Sequence, residues 1–425
     1  MKPYLLAVLI AALPFSSVAQ TFQNYPDLPP LFEVRKALEN TPMVRAARTS
    51  IGVASADRSR LRAGSYETNV RVDAAQRQVN VPSEQFSEWS VGLERSLRLP
   101  GKSRIDGELG DQGMSQARVV YGDALHESGR MLLKSWFVWL REFNQEKQWQ
   151  TQVGLLRDQL AVVEKRIKAG DAARLEQLQA QAALSQAEAQ LALAHQRATI
   201  AANELTQRYP SIPLPAAPVL PQPIPVSEGL DYWQQLVLAD NHELSLARGE
   251  TEHSRLLLAR SEADRLPDPA VGIRYGSERG GAERLIGVNV TIPLPGAGRA
   301  ASQASALASS EVAAEREAGV LTKVKTETAN SWLTAQSAYQ AWQAAEQAAT
   351  AMRNNADLIA RAYSMGESGL SDVLTARRQM QEAQLAAISA RLDAAEARYR
   401  LLLDTHTLWP IDADADAEGA APMPR

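Results

Sequence analysis

Two stretches of this 425-residue chain, Lys102 to Lys168 and Ala300 to Met365, contain no proline. As continuous helices each would be roughly 100 Å long at the standard rise per residue. That length exceeds the diameter of a compact domain of this size. The chain must therefore build an elongated molecule in which long helices lie side by side. Each stretch runs into a glycine, Gly170 or Gly366, the residue that most often stops a helix. Beyond it the helical pattern resumes, to about Arg208 and Leu403.

The two stretches belong to an internal repeat. Val91 to Arg104 lies over Ile286 to Arg299, and Gly92, Leu99, Pro100, Gly101 and Arg104 recur as Gly287, Leu294, Pro295, Gly296 and Arg299. Further on, Ser135-Trp136 lies over Ser331-Trp332, and Gly170 over Gly366. The register holds to within one residue, so the chain divides into a first repeat, 20–208, and a second, 228–408. Between them Tyr209 to Ser227 carries Pro210, Pro213, Pro215, Pro218, Pro221, Pro223 and Pro225. Such a segment can be neither helix nor central strand and reads as an extended strap. Residues 409–425 read as a disordered acidic tail.

In the first returning helix Leu184, Ala187, Leu191, Ala194, Ala198, Ala201 and Leu205 follow strict heptad spacing. The second repeat answers with Met380, Ala383, Ala387, Ala390, Ala394, Ala397 and Leu401. Small seam residues let helix backbones approach closely. Upstream of each long helix the period changes to two. Trp89, Val91, Leu93, Leu97 and Leu99 share one face, as do Ile286, Val288, Val290 and Ile292. Weaker partners precede them: Val70, Val72 and Ala74, then Val271, Ile273 and Tyr275. Turns are placed at Asn80 to Ser87 and Ser277 to Glu283. The result is two β-hairpins with strands of about ten residues, the length that crosses a bilayer. Arg95 interrupts its apolar face. Four strands cannot close a barrel, and open edges are costly in lipid. The strands thus call for several copies of the chain.

Composition narrows the function. Cysteine is absent, which excludes disulfides and thiolate chemistry, and five histidines leave little for metal or acid–base catalysis. A net charge of -4 carries no footprint for nucleic acid. Gly101-Lys102-Ser103 lacks the spaced glycine of a phosphate loop, His242 and His253 lie three turns apart, and the Asp412, Asp414, Asp416 series has no closing glutamate. No enzyme, cofactor or resident metal is expected. Lys2, the apolar run Leu5 to Phe15 and Ser17-Val18-Ala19 read as a secretory signal peptide, 1–19, cut after Ala19. Gln20 follows, so there is no lipidated cysteine.

The order strap, helix, hairpin, very long helix, glycine turn, returning helix, given twice, resembles the TolC-type outer membrane efflux proteins. Three local matches carry the likeness. Leu99-Pro100-Gly101 and Leu294-Pro295-Gly296 sit at the strand-to-helix junctions, with a basic residue after them, Lys102 directly and Arg299 after two intervening residues. Leu266-Pro267-Asp268-Pro269 enters the third strand. Tyr363-Ser364-Met365-Gly366 is followed by Asp372-Val373-Leu374. The Leu-Pro-Gly-Lys wording is most similar to the cobalt–zinc–cadmium branch. The resemblance implies a mainly α fold with a membrane β-barrel portion, in a homotrimer. Twelve strands would form one barrel in outer membrane lipid, and a coiled-coil helical barrel would cross the periplasm. A periplasmic adaptor and an inner-membrane pump of the resistance–nodulation–division type would be its partners. Cargo would be metal cations, with drug efflux or type I secretion as alternatives. A periplasmic coiled-coil adaptor is the competing class; it should have neither the hairpins nor the full-length repeat.

The resemblance also implies site residues. Asp372 matches an acidic position at the tunnel entrance, and Glu176 is its counterpart in the first repeat. Tyr363 matches a tyrosine that helps hold the closed tip. Ser368 stands where the best-known members have a gating arginine, and Thr375 replaces a second aspartate. The lock is therefore expected to differ, through Asp171 or Glu367.

Overall fold

The computed structural model describes residues 25–64 and 66–411. The leader at 1–19 and residues 412–425 of the tail lie outside the described residues. In chain order the first half holds α1 (Leu31–Glu39), α2 (Pro42–Ala63), β1 (Thr68–Asn80), β2 (Ser83–Ser96), α3 (Pro100–Lys168) and α4 (Arg174–Arg208). The second half holds α5 (Leu230–Ala239), α6 (His242–Ala263), β3 (Ala270–Glu278), β4 (Glu283–Thr291), α7 (Ala297–Met365) and α8 (Leu370–Asp404). The halves correspond element by element. Helices α3 and α7 have 69 residues each, α4 and α8 have 35 each, and α2 and α6 have 22 each. Helix α3 begins earlier than its proline-free stretch because Pro100 occupies the first helical position, where a missing N–H costs nothing.

The four strands form one antiparallel sheet in the order β1-β2-β3-β4. The β2–β3 pairing joins the two repeats, with Val91 opposite Tyr275 and Leu93 opposite Ile273. The first hairpin is longer than its sequence pattern and than the second hairpin, with strands of 13 and 14 residues against 9 and 9. Its polar residues from Ser83 to Ser87 pair as strand, leaving only Val81 and Pro82 as the turn. Leu97 and Leu99 lie beyond β2, which ends at Ser96.

Register sorts the side chains into two faces. Val72, Val91, Tyr275 and Ile286 make one row, and Val70, Leu93, Ile273 and Val288 the next. All eight are exposed, an apolar sheet face with none of the described residues packed over it. Arg95 shares this face in a row with Thr68, Val271 and Val290, close to the helical end of the sheet. From there a long side chain can bring its charge to the edge of the apolar band. The opposite face is polar and rich in glycine. A Cβ on Gly272 would lie 2.5 Å from Asn289 Oδ1 and 2.9 Å from the Leu93 carbonyl oxygen, so this face is crowded there.

Where sheet meets helices, two sequence motifs come together. Lys102, 1% exposed, places Nζ 3.0 Å from Asp268 and 3.1 Å from Asp264. Asp268 also accepts from the Tyr66 hydroxyl at 2.6 Å and the Leu99 backbone N–H at 3.2 Å. Asp106 receives Arg98 at 3.0 Å and Arg260 at 2.6 Å. Burial opposes charge on Asp268, but the hydrogen bonds from Tyr66 and Lys102 hold its carboxyl below the usual range. Burial and the same bond push the Tyr66 phenol up to about 12.

The main core lies farther along the helices. Trp136, Phe137 and Leu140 of α3 meet Leu205 of α4 and Tyr399 and Leu403 of α8. The N-terminal lead and the C-terminal end are sewn into it. Trp136 Nε1 donates to the Asp27 carbonyl at 2.8 Å, Tyr399 donates to the Asp27 carboxylate, and Trp409 Nε1 donates to the Pro29 carbonyl at 3.2 Å. Trp409 and Ile411 are buried. The sequence reading placed both in the acidic tail; their apolar side chains keep them in the core instead. The proline-rich segment crosses this region without regular structure, held by Arg391 Nε donating to the Pro221 carbonyl at 2.7 Å. Three of the five histidines also meet here. His126 of α3, His242 at the start of α6 and His406 beyond α8 have ring centroids 4.9–5.8 Å apart.

The heptad seams differ between repeats. On α4, six of the seven positions are buried and Leu191 is half-buried. On α8 only Met380, Ala387, Ala394 and Leu401 are buried; Ala383, Ala390 and Ala397 are half-buried. Helix α8 turns a second face, Leu392, Ala395, Tyr399 and Leu403, into the core. Ala194→Leu, at a fully buried position, is therefore expected to cost about 1–3 kcal/mol by overpacking. Ala390→Leu should cost less, and thermal unfolding of the two variants checks the difference.

Candidate functional site

The end of the molecule opposite the sheet is built by two helix hairpins, α3–α4 and α7–α8. Both turn on glycine in the left-handed region, Gly170 at φ 78° and Gly366 at φ 79°. Each turn is closed the same way: Asp171 N–H donates to the Arg166 carbonyl and Glu367 N–H to the Ala362 carbonyl, both at 2.9 Å. A side chain at either glycine would have space but a strained backbone.

A small apolar cluster locks the hairpins together: Val163, Ala180, Tyr363, Leu370 and Val373. Polar contacts lie over it. The Tyr363 hydroxyl donates to Glu176 at 2.8 Å, across from α7 to α4. The Arg166 guanidinium lies 4.8 Å from the centre of the Tyr363 ring. Arg166 also donates to the Asp171 carboxylate at 3.0 Å and to its carbonyl at 3.1 Å. Burial and the bond to Glu176 raise the Tyr363 phenol pKa, and the hydrogen bond to Asp171 raises that of Arg166.

The residues anticipated from sequence thus take separate places. Tyr363 and Glu176 are brought together, Glu176 half-buried against its neighbour helix. Asp171 is exposed and held by Arg166. Asp372 is exposed and accepts from the Gly369 N–H at 3.2 Å, capping α8 where the positive helix end favours a carboxylate. Glu367 is exposed at the turn. Pro100, Gly101, Pro295 and Gly296 lie at the far end, at or just before the starts of α3 and α7. Ser368 leaves its hydroxyl buried without a partner.

Arg166 is the residue that sequence reasoning missed. It brings a cation from α3 against the Tyr363 ring and the Asp171 carboxylate. Its only signal was the basic last turn Lys165, Arg166, Lys168, which any helix end favours. Among the described residues no group of three or more His, Asp or Glu side chains is placed to hold a metal ion. No described helix is long and apolar enough to cross a membrane.

Residues 233–403 match the model of the outer membrane efflux protein family. No curated protein matches the sequence. Solved structures resemble the chain almost end to end. The outer membrane protein VceC of Vibrio cholerae has TM-score 0.71 and 17% identity, covering 88% of this chain and 95% of its own. The CmeC outer membrane channel of Campylobacter jejuni has TM-score 0.73 and 15% identity, over 91% and 87%. The open state of the MtrE outer membrane channel of Neisseria gonorrhoeae has TM-score 0.70 and 18% identity, over 89% of both chains. The chain carries in its second repeat the sequence signature of the outer membrane efflux protein family, and over its described length the fold of outer membrane channels.

Proposed function

We propose that this protein is the outer membrane channel of a tripartite efflux system. The observation that carries the reading is the open four-stranded sheet, with one exposed apolar face and a polar, glycine-rich one, at the end of helices 69 residues long. The free edges of β1 and β4 cannot face lipid unpaired. Three copies joined edge to edge would close a twelve-stranded barrel whose apolar face meets lipid and whose polar face meets water. The helices then form the walls of a tunnel through the periplasm. The channel makes and breaks no covalent bonds. A periplasmic adaptor and a proton-driven inner-membrane pump would load it at the hairpin tips. Light scattering in detergent, corrected for bound detergent, should give a trimer. A stable monomer with β-sheet signal would sink the architecture.

Metal cations are the cargo class this reading favours. Threefold repetition would gather Asp372 and Glu176 into a ring of carboxylates at the tip, which attracts cations. The latch of Arg166, Asp171, Tyr363 and Glu176 then belongs to the closed state. Single-channel recording tests this with hexamminecobalt(III) on the periplasmic side. Asp372→Asn plus Glu176→Gln should lose both cation preference and block. Unchanged selectivity and block would assign these carboxylates to the outer face.

A further inference from the structure

We propose that Arg71 and Arg274 line the barrel halfway along its length as a binding belt for polyanions carrying several phosphate, sulfate or carboxylate groups. The inference rests on the channel reading, since it needs the barrel to close. Register places Arg71, Gly92, Arg274 and Gly287 in one row on the polar face, an arginine on every second strand with glycine between. Arg274 is the middle residue of β3. Three protomers would bring six guanidinium groups to the lumen as two threefold sets, offset along the axis by strand tilt. Charge at that depth requires a water-filled interior and marks a functional position.

Both arginines are exposed, and neither takes part in an ion pair or side-chain hydrogen bond among the described residues. The nearest inward carboxylates are engaged. Asp73 accepts from the Ser90 hydroxyl at 3.1 Å, and Glu94 from Asn289 Nδ2 at 2.9 Å. These short side chains stay against the wall, whereas arginine reaches toward the axis past its glycine neighbours. Edge-to-edge closure would bring β4 beside β1. Around the belt, the inward positions of β4 are Asn289, Gly287 and Leu285, none of them acidic. Arg77, by contrast, is already satisfied farther along, 3.0 Å from Glu88. Unpaired guanidinium forks facing one another across a narrow lumen suit a ligand that accepts several bidentate hydrogen bonds at once.

The test is calorimetric titration of the purified trimer in detergent with inositol hexakisphosphate, which does not require an open tip. One ligand per trimer is expected, with affinity falling steeply as salt is raised. Arg71→Gln plus Arg274→Gln should weaken binding about tenfold or more. Arg71→Lys plus Arg274→Lys should keep most of it, separating charge from disruption of the wall. Equal binding by parent and glutamine variant overturns the belt and leaves the channel intact. A protein that forms no trimer overturns the channel reading and the belt with it.

Discussion

Replacing Lys102 with methionine is expected to destabilise the protein by about 1–3 kcal/mol, because it leaves the half-buried Asp268 carboxylate without its cation. Asp264 keeps Arg260 as a partner, but Asp268 loses its one cation and retains only the Tyr66 hydroxyl and the Leu99 N–H. Lys102 is fixed in the first turn of α3 and Asp268 lies just ahead of β3, so the ion pair ties the first repeat to the second where sheet meets helices. The measurement is thermal unfolding in detergent of Lys102→Met, Asp268→Asn and the double variant. Neutralising both partners should recover much of the loss, since the cost lies in leaving a charge unpaired. A double variant as unstable as the sum of the single ones would mean that the two side chains act independently.

Acid is expected to weaken the protein through His126. Burial, reinforced by the positive charge of Arg130, lowers this imidazole from 6.5 to about 3, although Asp404 opposes the shift. Nε2 lies 3.1 Å from the Leu403 carbonyl oxygen, which only accepts, so Nε2 carries the hydrogen. The folded pKa is below the unfolded one. The stabilisation is therefore present above pH 6.5 and is lost as the pH falls from 6.5 toward 3. At pH 5 the unfolded chain binds a proton that the folded chain refuses, at a cost of about 2 kcal/mol. Asp27, Asp123 and Glu396 act in the opposite sense, because burial raises their folded pKa values. The informative comparison is thus parent against His126→Gln, which keeps a donor for Leu403 but does not titrate. Between pH 7 and 5 the parent should lose about 2 kcal/mol more than the variant. Equal acid sensitivity would locate the effect elsewhere.

The sequence by itself determined the duplication, the long helices and their glycine stops, the alternating strands and the proline strap. All of these are local: helix, strand and turn preferences act over a few residues and survive without knowledge of neighbours. The open edges were legible for the same reason, because four strands were countable. Tyr363 and Glu176 were identified by resemblance, but their hydrogen bond joins α7 to α4 and has no local signal. Arg166 was invisible in a basic helix end that looks like any other.

Only the tertiary structure decided the pairings between repeats. Lys102 and Asp268 were both noticed, inside separate motifs, yet nothing along the chain links a lysine in α3 to an aspartate ahead of β3. His242 and His253 were weighed as a pair because they share a helix, whereas packing brings His242 to His126 and His406 instead. The polar residues of the first hairpin became strand because pairing satisfies their backbone groups. Trp409 and Ile411 joined the core because burying apolar surface outweighs the polar character of the segment that follows. In each case the deciding contact is between residues far apart in sequence, whose proximity is a property of the packed molecule.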